Sequence, residues 1–223
     1  MKHYLSLLLL SFCFICFAGY GQNKEEPAMV FVPGGTFQMG GKVKHDGEPT
    51  HSVTVNSFYL GKYEVTQKEW VAVMGSNPSY HKDCDRCPVE QVNWHDIQEY
   101  IDKLNKSTGK QYRLPTEDEW EFAARGGAQD EGYDYSGSDD LGSVGWYFNN
   151  SEKASHPIGQ KKPNRLGLYD MSGNVWELCS GNDRVNRGGS WFYSATSCRS
   201  TYRASNLLSD RTSDSGFRLA LPQ

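Results

Sequence analysis

Apolar and polar positions alternate along the first part of the chain, after a polar lead-in over residues 22–28. This period of two predicts β-strands at Met29 to Val32, at Thr36 to Met39 and along Ser52 to Tyr63. Turn-forming residues, Pro33 to Gly35, separate the first two strands. The N-terminal part of the domain is therefore predicted to be built from strands.

Three helices are predicted further on, each from a start signal followed by apolar residues at helical spacing. Thr66 with Glu69 forms a capping box, Asn93 can cap a second helix, and Thr116 with Glu119 forms another capping box. Each predicted helix ends at a glycine: Gly75, Gly109 or Gly126.

Regular periodicity is lost from Gly126 to the C-terminus, where Gly, Ser, Asn and Asp are abundant. Tryptophan, tyrosine and phenylalanine are interleaved with these turn formers, and disordered segments rarely carry so many aromatic residues. We therefore expect a compact, loop-rich second half. No internal repeat or linker divides the chain, so residues 29–223 are predicted to form one α+β domain.

The N-terminus has the layout of a signal peptide over residues 1–21. Lys2 precedes an apolar run from Leu5 to Phe17, and Gly19-Tyr20-Gly21 supplies a small-x-small cleavage site. The run is too short for a spanning helix, so we predict no membrane span. A lipoprotein anchor at Cys16 stays open as an alternative. The protein is thus expected to be exported to the periplasm, the cell surface or the medium.

The charge pattern narrows the choice of partner. The formal net charge is −4, and no run of Lys or Arg is present. Nucleic acids and anionic membrane surfaces are therefore poor candidates. An exported protein or a small-molecule ligand remains as the expected partner.

The cysteines favour disulfides over free thiols. Of the six, Cys13 and Cys16 leave with the signal peptide, and an even number in an exported chain favours pairing. Cys84 and Cys87 are predicted to form a local disulfide, because zinc would need a second pair of ligands at suitable spacing.

A series of short motifs runs through almost the whole predicted domain. In order they are MVFVPGGTFQMG, YEVTQKEW, CPVEQVNW, YRLPTEDEWEFAARGG, HPIGQKKPNRLGLYDMSGNVWEL, NRGGSW and GFRLA. Together they resemble the sulfatase-modifying-factor, or formylglycine-generating-enzyme, family. The resemblance implies a variant of the C-type-lectin fold with little regular secondary structure. It does not by itself name a reaction, because one fold supports many functions.

The resemblance also implies where a copper site would lie. Enzymes of this family bind Cu(I) between two cysteines after the GGS turn, as suits a soft ion. Here those positions are Tyr193 and Cys198, while Trp176 and Ser190 match residues of the family's pocket. Copper is therefore not expected, and Cys198 would be catalytic only if the chain were an enzyme after all. The family pattern instead implies a disulfide between Cys179 and Cys198.

A calcium ion is the cofactor that the resemblance implies. Its ligands would be the side chains of Asp170 and Glu177 and the carbonyl groups of Gly173 and Val175, an oxygen set that suits Ca²⁺. From spacing alone, the two acids could instead cap turns or pair with an arginine such as Arg187. A second calcium site of the family would fall within residues 143–150, with ligands that the sequence does not assign.

Two classes of function follow. The incomplete cysteine pair favours a non-catalytic binding or scaffolding module, in which the stretch from Phe192 to Ser215 forms a variable ligand-binding tail. That stretch is rich in Tyr, Ser and Asn, which binding loops favour. The alternative is an oxidoreductase of the formylglycine-generating or another type, acting on an exported protein or a small molecule.

Overall fold

The computed structural model describes residues 26–41, 50–181, 185–205 and 207–223. The predicted signal peptide, residues 1–21, lies outside the described residues, so it stays a prediction. Among the described residues, none of the helices combines the length and the hydropathy that a membrane-spanning helix needs.

Three small sheets organise the described chain. The strands are β1 (Met29–Val32), β2 (Gly35–Met39), β3 (His51–Val55), β4 (Phe58–Gly61), β5 (Trp176–Leu178), β6 (Val185–Arg187), β7 (Arg203–Ser205), β8 (Ser215–Gly216) and β9 (Ala220–Pro222). The sheet orders are β1-β4-β9, β2-β3 and β7-β6-β5-β8. Because β4 pairs with both β1 and β9, the two ends of the domain meet in one sheet.

The predicted strand from Ser52 to Tyr63 is two strands in the structure. Val55, at the end of β3, pairs with Gly35 in one sheet, whereas Phe58, at the start of β4, pairs with Val32 in another. The prediction of a single strand was wrong because its alternating pattern continues across the point where the chain changes sheets.

The first three helices begin where the sequence predicts, and a short fourth helix was not predicted. The helices are α1 (Gln67–Met74), α2 (Trp94–Thr108), α3 (Glu117–Ala124) and the short α4 (Leu141–Val144). Thr66, Asn93 and Thr116 each accept a hydrogen bond from the N3 amide, and the N3 carboxylate accepts one from the cap residue. These reciprocal bonds satisfy backbone donors that the helix itself leaves unpaired. The third helix ends slightly before the predicted Gly126.

The two larger hydrophobic clusters of the described residues lie around α3 and around α1 and α2. One packs α3 against strands β1, β2 and β4, with Trp120 and Phe122 fully buried. The other packs α1 and α2 together, where the rings of Trp70 and Tyr100 stack with centroids 5.1 Å apart and Phe217 meets both edge-on. Burial of such large rings is a main source of stability in a domain of this size.

The second half is mostly irregular, as predicted, yet it is closely packed. A Cβ added to Gly145 would lie 2.0 Å from the carbonyl oxygen of Ser172, and one added to Gly173 would lie 2.1 Å from that of Trp146. Only glycine allows these two segments to approach so closely. The turn-rich composition therefore reflects tight backbone packing.

Candidate binding site

The turn that follows β6 presents three aromatic residues in sequence: Trp191, Phe192 and Tyr193. Gly188 and Gly189 make this turn with φ of 90° and 74°, which side-chain-bearing residues rarely adopt. The Trp191 amide donates to Asn174 O at 2.8 Å, and its indole Nε1 donates to Ser213 O at 3.0 Å. These hydrogen bonds fix the position of the Trp191 ring, which the neighbouring aromatic rings contact.

A continuous series of aromatic rings extends in both directions from Trp191. Successive ring centroids lie 5.1–6.0 Å apart, a distance that suits edge-to-face contact. We call this series the aromatic face; in contact order its members are Tyr80, His81, Trp191, Phe192, Tyr193, Trp176 and Tyr202. Large fractions of three of its rings are exposed: Tyr80 (72%), Phe192 (56%) and Tyr193 (42%). The amide of Phe148, itself 59% exposed, donates to Tyr193 O at 3.0 Å.

Asp214 supplies a carboxylate beside these rings. Its Oδ2 accepts a hydrogen bond of 2.9 Å from the Ser190 hydroxyl, and its backbone carbonyl accepts one of 2.7 Å from the Trp176 amide. The face thus combines apolar rings with one anionic acceptor.

The residues that the sequence assigned to a family pocket do come together. The ring centroids of Tyr193 and Trp176 are 5.3 Å apart, and the Tyr193 amide donates to Ser190 O at 3.1 Å. Tyr193 therefore lies among the pocket residues with its ring partly exposed, at the position where the family's oxidases carry a cysteine.

Cys198 lies on the inner side of the glycine turn. Its side chain is fully buried and packs with Leu141 and Val144, and a Cβ on Gly189 would lie 2.6 Å from its Sγ. Burial raises the pKa of the Cys198 thiol to about 12. A thiol that stays protonated is a poor nucleophile and a poor copper ligand.

The disulfide predictions have opposite outcomes. Cys84 and Cys87 are joined, as predicted. The predicted Cys179–Cys198 disulfide was wrong, because both residues are free and buried. Cys179 packs in the cluster around α3, whereas Cys198 packs in a separate cluster with α4. Burial raises the pKa of the Cys179 thiol as well.

Asp170 has one carboxylate oxygen that is buried without a hydrogen-bond partner among the described residues. It has a left-handed backbone (φ 57°) and is almost fully buried. Its Oδ2 accepts a hydrogen bond of 2.7 Å from the Gly159 amide, but its Oδ1 is buried without a partner among the described residues. A buried carboxylate oxygen without a partner is costly, and a cation would satisfy it.

Unlike Asp170, Glu177 has hydrogen-bond partners for both of its carboxylate oxygens. Arg218 donates to its two oxygens from Nη2 and Nε, at 2.5 and 2.6 Å, and Trp120 Nε1 donates at 2.6 Å. The acid therefore pairs with an arginine, but with Arg218 and not with Arg187, which pairs with Glu117 and Glu121. Of the two predicted ligand side chains, Asp170 keeps a carboxylate oxygen without a partner among the described residues, whereas both carboxylate oxygens of Glu177 accept hydrogen bonds.

Sequence reasoning missed Glu64, a third buried carboxylate in this region. It accepts hydrogen bonds from Asn174 Nδ2 at 2.6 Å and from the Val175 amide at 3.2 Å. Burial raises the pKa of Glu64 well above its usual range, and the charges of Asp170 and Glu177 raise it further. No period or spacing could reveal this contact, because more than a hundred residues separate Glu64 from its partners. Within the described ranges, no three His, Cys, Asp or Glu side chains are placed to hold one metal ion.

The tail from Phe192 to Ser215 is anchored by three arginines. Arg199 pairs with Asp134, Arg203 with Glu117, and Arg211 with Asp96. The pairs lie on three separate parts of the domain. The described residues of this segment are therefore attached to the domain at three points, and the exposed Phe192 and Tyr193 lie at its start.

Comparison with known proteins identifies the family. The profile described as "Sulfatase-modifying factor enzyme 1-like domain" matches residues 18–222. This chain therefore belongs to the sulfatase-modifying-factor family, and its fold is the α+β, C-type-lectin-like fold of formylglycine-generating enzymes.

Individual relatives carry different names. The chain is 34% identical to the "Chaperone protein LppX" of Paenibacillus barcinonensis, covering 89% of this chain and 91% of the relative. It is 29% identical to the "Inactive C-alpha-formylglycine-generating enzyme 2" of Mus musculus, covering 89% and 87%. Among solved structures, "Treponema denticola variable protein 1" is similar with a TM-score of 0.81 and 30% identity, covering 87% of this chain and 95% of that one.

Proposed function

We propose that this protein is an exported, non-catalytic binding module that holds a segment of another exported protein on the aromatic face. The observation that carries the proposal is the chain of partly exposed rings around Tyr193, where an oxidase of the family would bind copper. Exposed aromatic side chains on a rigid frame are typical of binding surfaces. They cost little conformational entropy because each ring is already held by its neighbours.

The state of the cysteines supports the non-catalytic function. Copper chemistry in this family needs two accessible thiolates, and the corresponding positions hold a phenol and a buried, protonated thiol. The names of two relatives, one a chaperone and one an inactive enzyme, agree with this proposal. The rival function, an oxidoreductase, is favoured by the family's description and by the retained positions of Trp176 and Ser190.

The chemistry of the face favours a particular kind of segment. Aromatic rings attract apolar and aromatic side chains, and they also attract cations through their π-electrons. The carboxylate of Asp214 and the net charge of −4 add to the attraction for basic side chains. We therefore propose an extended polypeptide segment that carries both aromatic and basic residues.

The experiment is a titration with a permanently unfolded reporter, a reduced and carboxymethylated polypeptide, followed by fluorescence anisotropy. Wild-type protein should bind it, and the double variant Phe192→Ala/Tyr193→Ala should bind about tenfold more weakly or worse, as expected for interface aromatics. The control is Phe31→Ala/Tyr59→Ala, which removes another pair of exposed rings, 5.3 Å apart, from the β1–β4 sheet.

The control makes the outcome specific. If both double variants bind like wild type, the aromatic face is not the binding surface. If both lose binding equally, the interaction is nonspecific attraction to exposed rings, and the proposal also fails.

We also propose a calcium ion at Asp170, with the carbonyl groups of Gly173 and Val175 as further ligands. The observation in its favour is the unpartnered, buried Oδ1 of Asp170. Oxygen ligands of mixed kind suit Ca²⁺. The ion would neutralise part of the excess negative charge that Glu64, Asp170 and Glu177 place around a single arginine, Arg218.

A further inference from the structure

The backbone of His81 is held on both sides by buried side chains from elsewhere in the fold. Its amide donates to Glu90 Oε1 at 2.7 Å, and its carbonyl accepts from Gln67 Nε2 at 2.8 Å. Glu90 and Gln67 are almost fully buried. A further bond of 3.2 Å runs from the Glu90 amide to the hydroxyl of Ser79. Residues 79–81 are thus held by specific side chains outside any helix or strand.

This short segment forms one end of the aromatic face. The His81 ring meets Trp191 edge-on with centroids 5.4 Å apart, and Tyr80 meets His81 edge-on at 5.1 Å. Trp191 is fixed independently, through Asn174 and Ser213. The relative position of Tyr80 and Trp191 therefore depends on how firmly the His81 backbone is held.

Holding the His81 backbone with the Glu90 carboxylate lowers the stability of the fold. Its Oε2 is buried and has no hydrogen-bond partner in the described part of the chain. Burial raises the pKa of Glu90, while hydrogen bonds from the Tyr80 and His81 amides act in the opposite direction. A buried acid that is only partly satisfied costs stability, so its use for structure alone is unfavourable.

We propose that Glu90 is a positioning residue for the binding site: its carboxylate fixes the Tyr80–His81 step so that both side chains complete the aromatic face. This proposal rests on the proposed function for its consequence in binding. Its structural part, the restraint of residues 79–81 by Glu90, can be tested without any ligand.

Protonation of Glu90 should loosen the segment. The charged groups that face it are Asp214, which raises its pKa, and Lys82, which lowers it. The neighbouring His81 has a pKa lowered by burial, so its ring is neutral at neutral pH. As the pH falls through the raised pKa of Glu90, the acceptor loses its charge, and hydrogen bonds to a neutral acceptor are weaker than those to a carboxylate.

The test is hydrogen exchange of the Tyr80 and His81 amides, corrected for intrinsic rates, in wild type, Glu90→Gln and Glu99→Gln. Glu99→Gln is the matched control, because it removes a carboxylate from the exposed side of α2. We expect protection in Glu90→Gln to fall by about tenfold at neutral pH, the usual size for loss of a charge-assisted bond. The control should match wild type.

The wild-type protein gives a second readout that needs no variant. Exchange protection of the Tyr80 and His81 amides should fall as the pH is lowered. Protection of the backbone amides in α1, which contacts His81 through Gln67, should stay constant. Glu90→Gln should lack this pH dependence. Unchanged protection in Glu90→Gln, or wild-type protection that does not vary with pH, would overturn the proposal.

A binding measurement distinguishes the positioning role of Glu90 from the proposed function of the protein. With the same unfolded reporter, Glu90→Gln should bind more weakly than wild type and Glu99→Gln equally well. Failure of wild type to bind the reporter contradicts the proposed function and leaves the exchange result standing. Normal binding by a Glu90→Gln protein whose segment has lost protection would contradict the positioning role.

Discussion

Glu177 and Arg218 form a bidentate ion pair that is excluded from solvent. The guanidinium donates from Nη2 and Nε to the two carboxylate oxygens. Nη1 also donates to the Gly61 carbonyl, and Nη2 donates to the Tyr169 carbonyl. The pair joins β5 to the segment before β9. Its position explains why the WEL and GFRL motifs, far apart in sequence, belong to one structural unit.

Breaking this pair should be strongly destabilising. Arg218→Met should lower the free energy of unfolding by about 3–5 kcal/mol, because it leaves Glu177 buried without its cation beside two other acids. Urea unfolding measures the change. Arg211→Met is the control, because the Arg211–Asp96 pair has the same bidentate form but is exposed, and it should cost about 1 kcal/mol or less. Similar costs for both variants would contradict the role of the buried pair.

Stability should depend on pH through Asp170. Burial raises the pKa of this residue to about 6, above its value in the unfolded chain. The native state therefore binds more protons than the unfolded state in that range, so stability falls as the pH rises through the two pKa values. In chelator, the loss attributable to Asp170 should be on the order of 3 kcal/mol. Asp170→Asn should remove this pH-dependent loss of stability, whereas the control Asp102→Asn, on the exposed side of α2, should keep it. A wild-type stability that does not change with pH in this range would contradict the prediction.

Calcium should restore, at neutral pH, the stability that is lost when Asp170 ionises. A ligand that binds only the folded state stabilises it by mass action, by roughly 3 kcal/mol at a hundredfold excess over its dissociation constant. Differential scanning calorimetry after exhaustive chelation should show a calcium-dependent rise in Tm for wild type and none for Asp170→Asn. Glu177→Gln should start from a lower Tm but keep the rise, because its side chain is engaged with Arg218. No rise in wild type would rule out the site.

Local signals in the sequence predicted much of the fold. The capping boxes at Thr66 and Thr116 are formed by residues three apart, so their geometry follows from the sequence itself. The contacts of the buried acids could not be predicted from the sequence. Glu64 meets Asn174 across 110 positions. Glu177 pairs with Arg218, although Arg187 lies opposite it in the β5–β6 register and pairs with Glu121 instead. Likewise, an even number of cysteines indicates pairing but not which thiols the fold brings together.

The two remaining cysteines should be detectable as free thiols. Alkylation of the denatured, unreduced protein should label Cys179 and Cys198 and leave Cys84 and Cys87 unlabelled. In the native protein neither free thiol should react, because both are buried and burial raises the pKa of each. Peptide mapping by mass spectrometry identifies the labelled sites. A Cys179–Cys198 cross-link found in the unreduced digest would contradict the structure.

Cu(I) should not bind at Tyr193 and Cys198, and the protein should not convert the cysteine of a sulfatase-type peptide to formylglycine. A phenol is a poor ligand for a soft ion, and the Cys198 thiol faces the glycine turn instead of the exposed rings. Tyr193→Cys supplies one accessible thiol, but a single thiolate is not the pair that the family's site uses.

The variant should therefore bind copper no more tightly than wild type in competition with a Cu(I) chelator. Peptide turnover by copper-loaded wild type that disappears in Cys198→Ser would require Cys198 to become accessible. That result would make oxidation, and not binding, the function of this site.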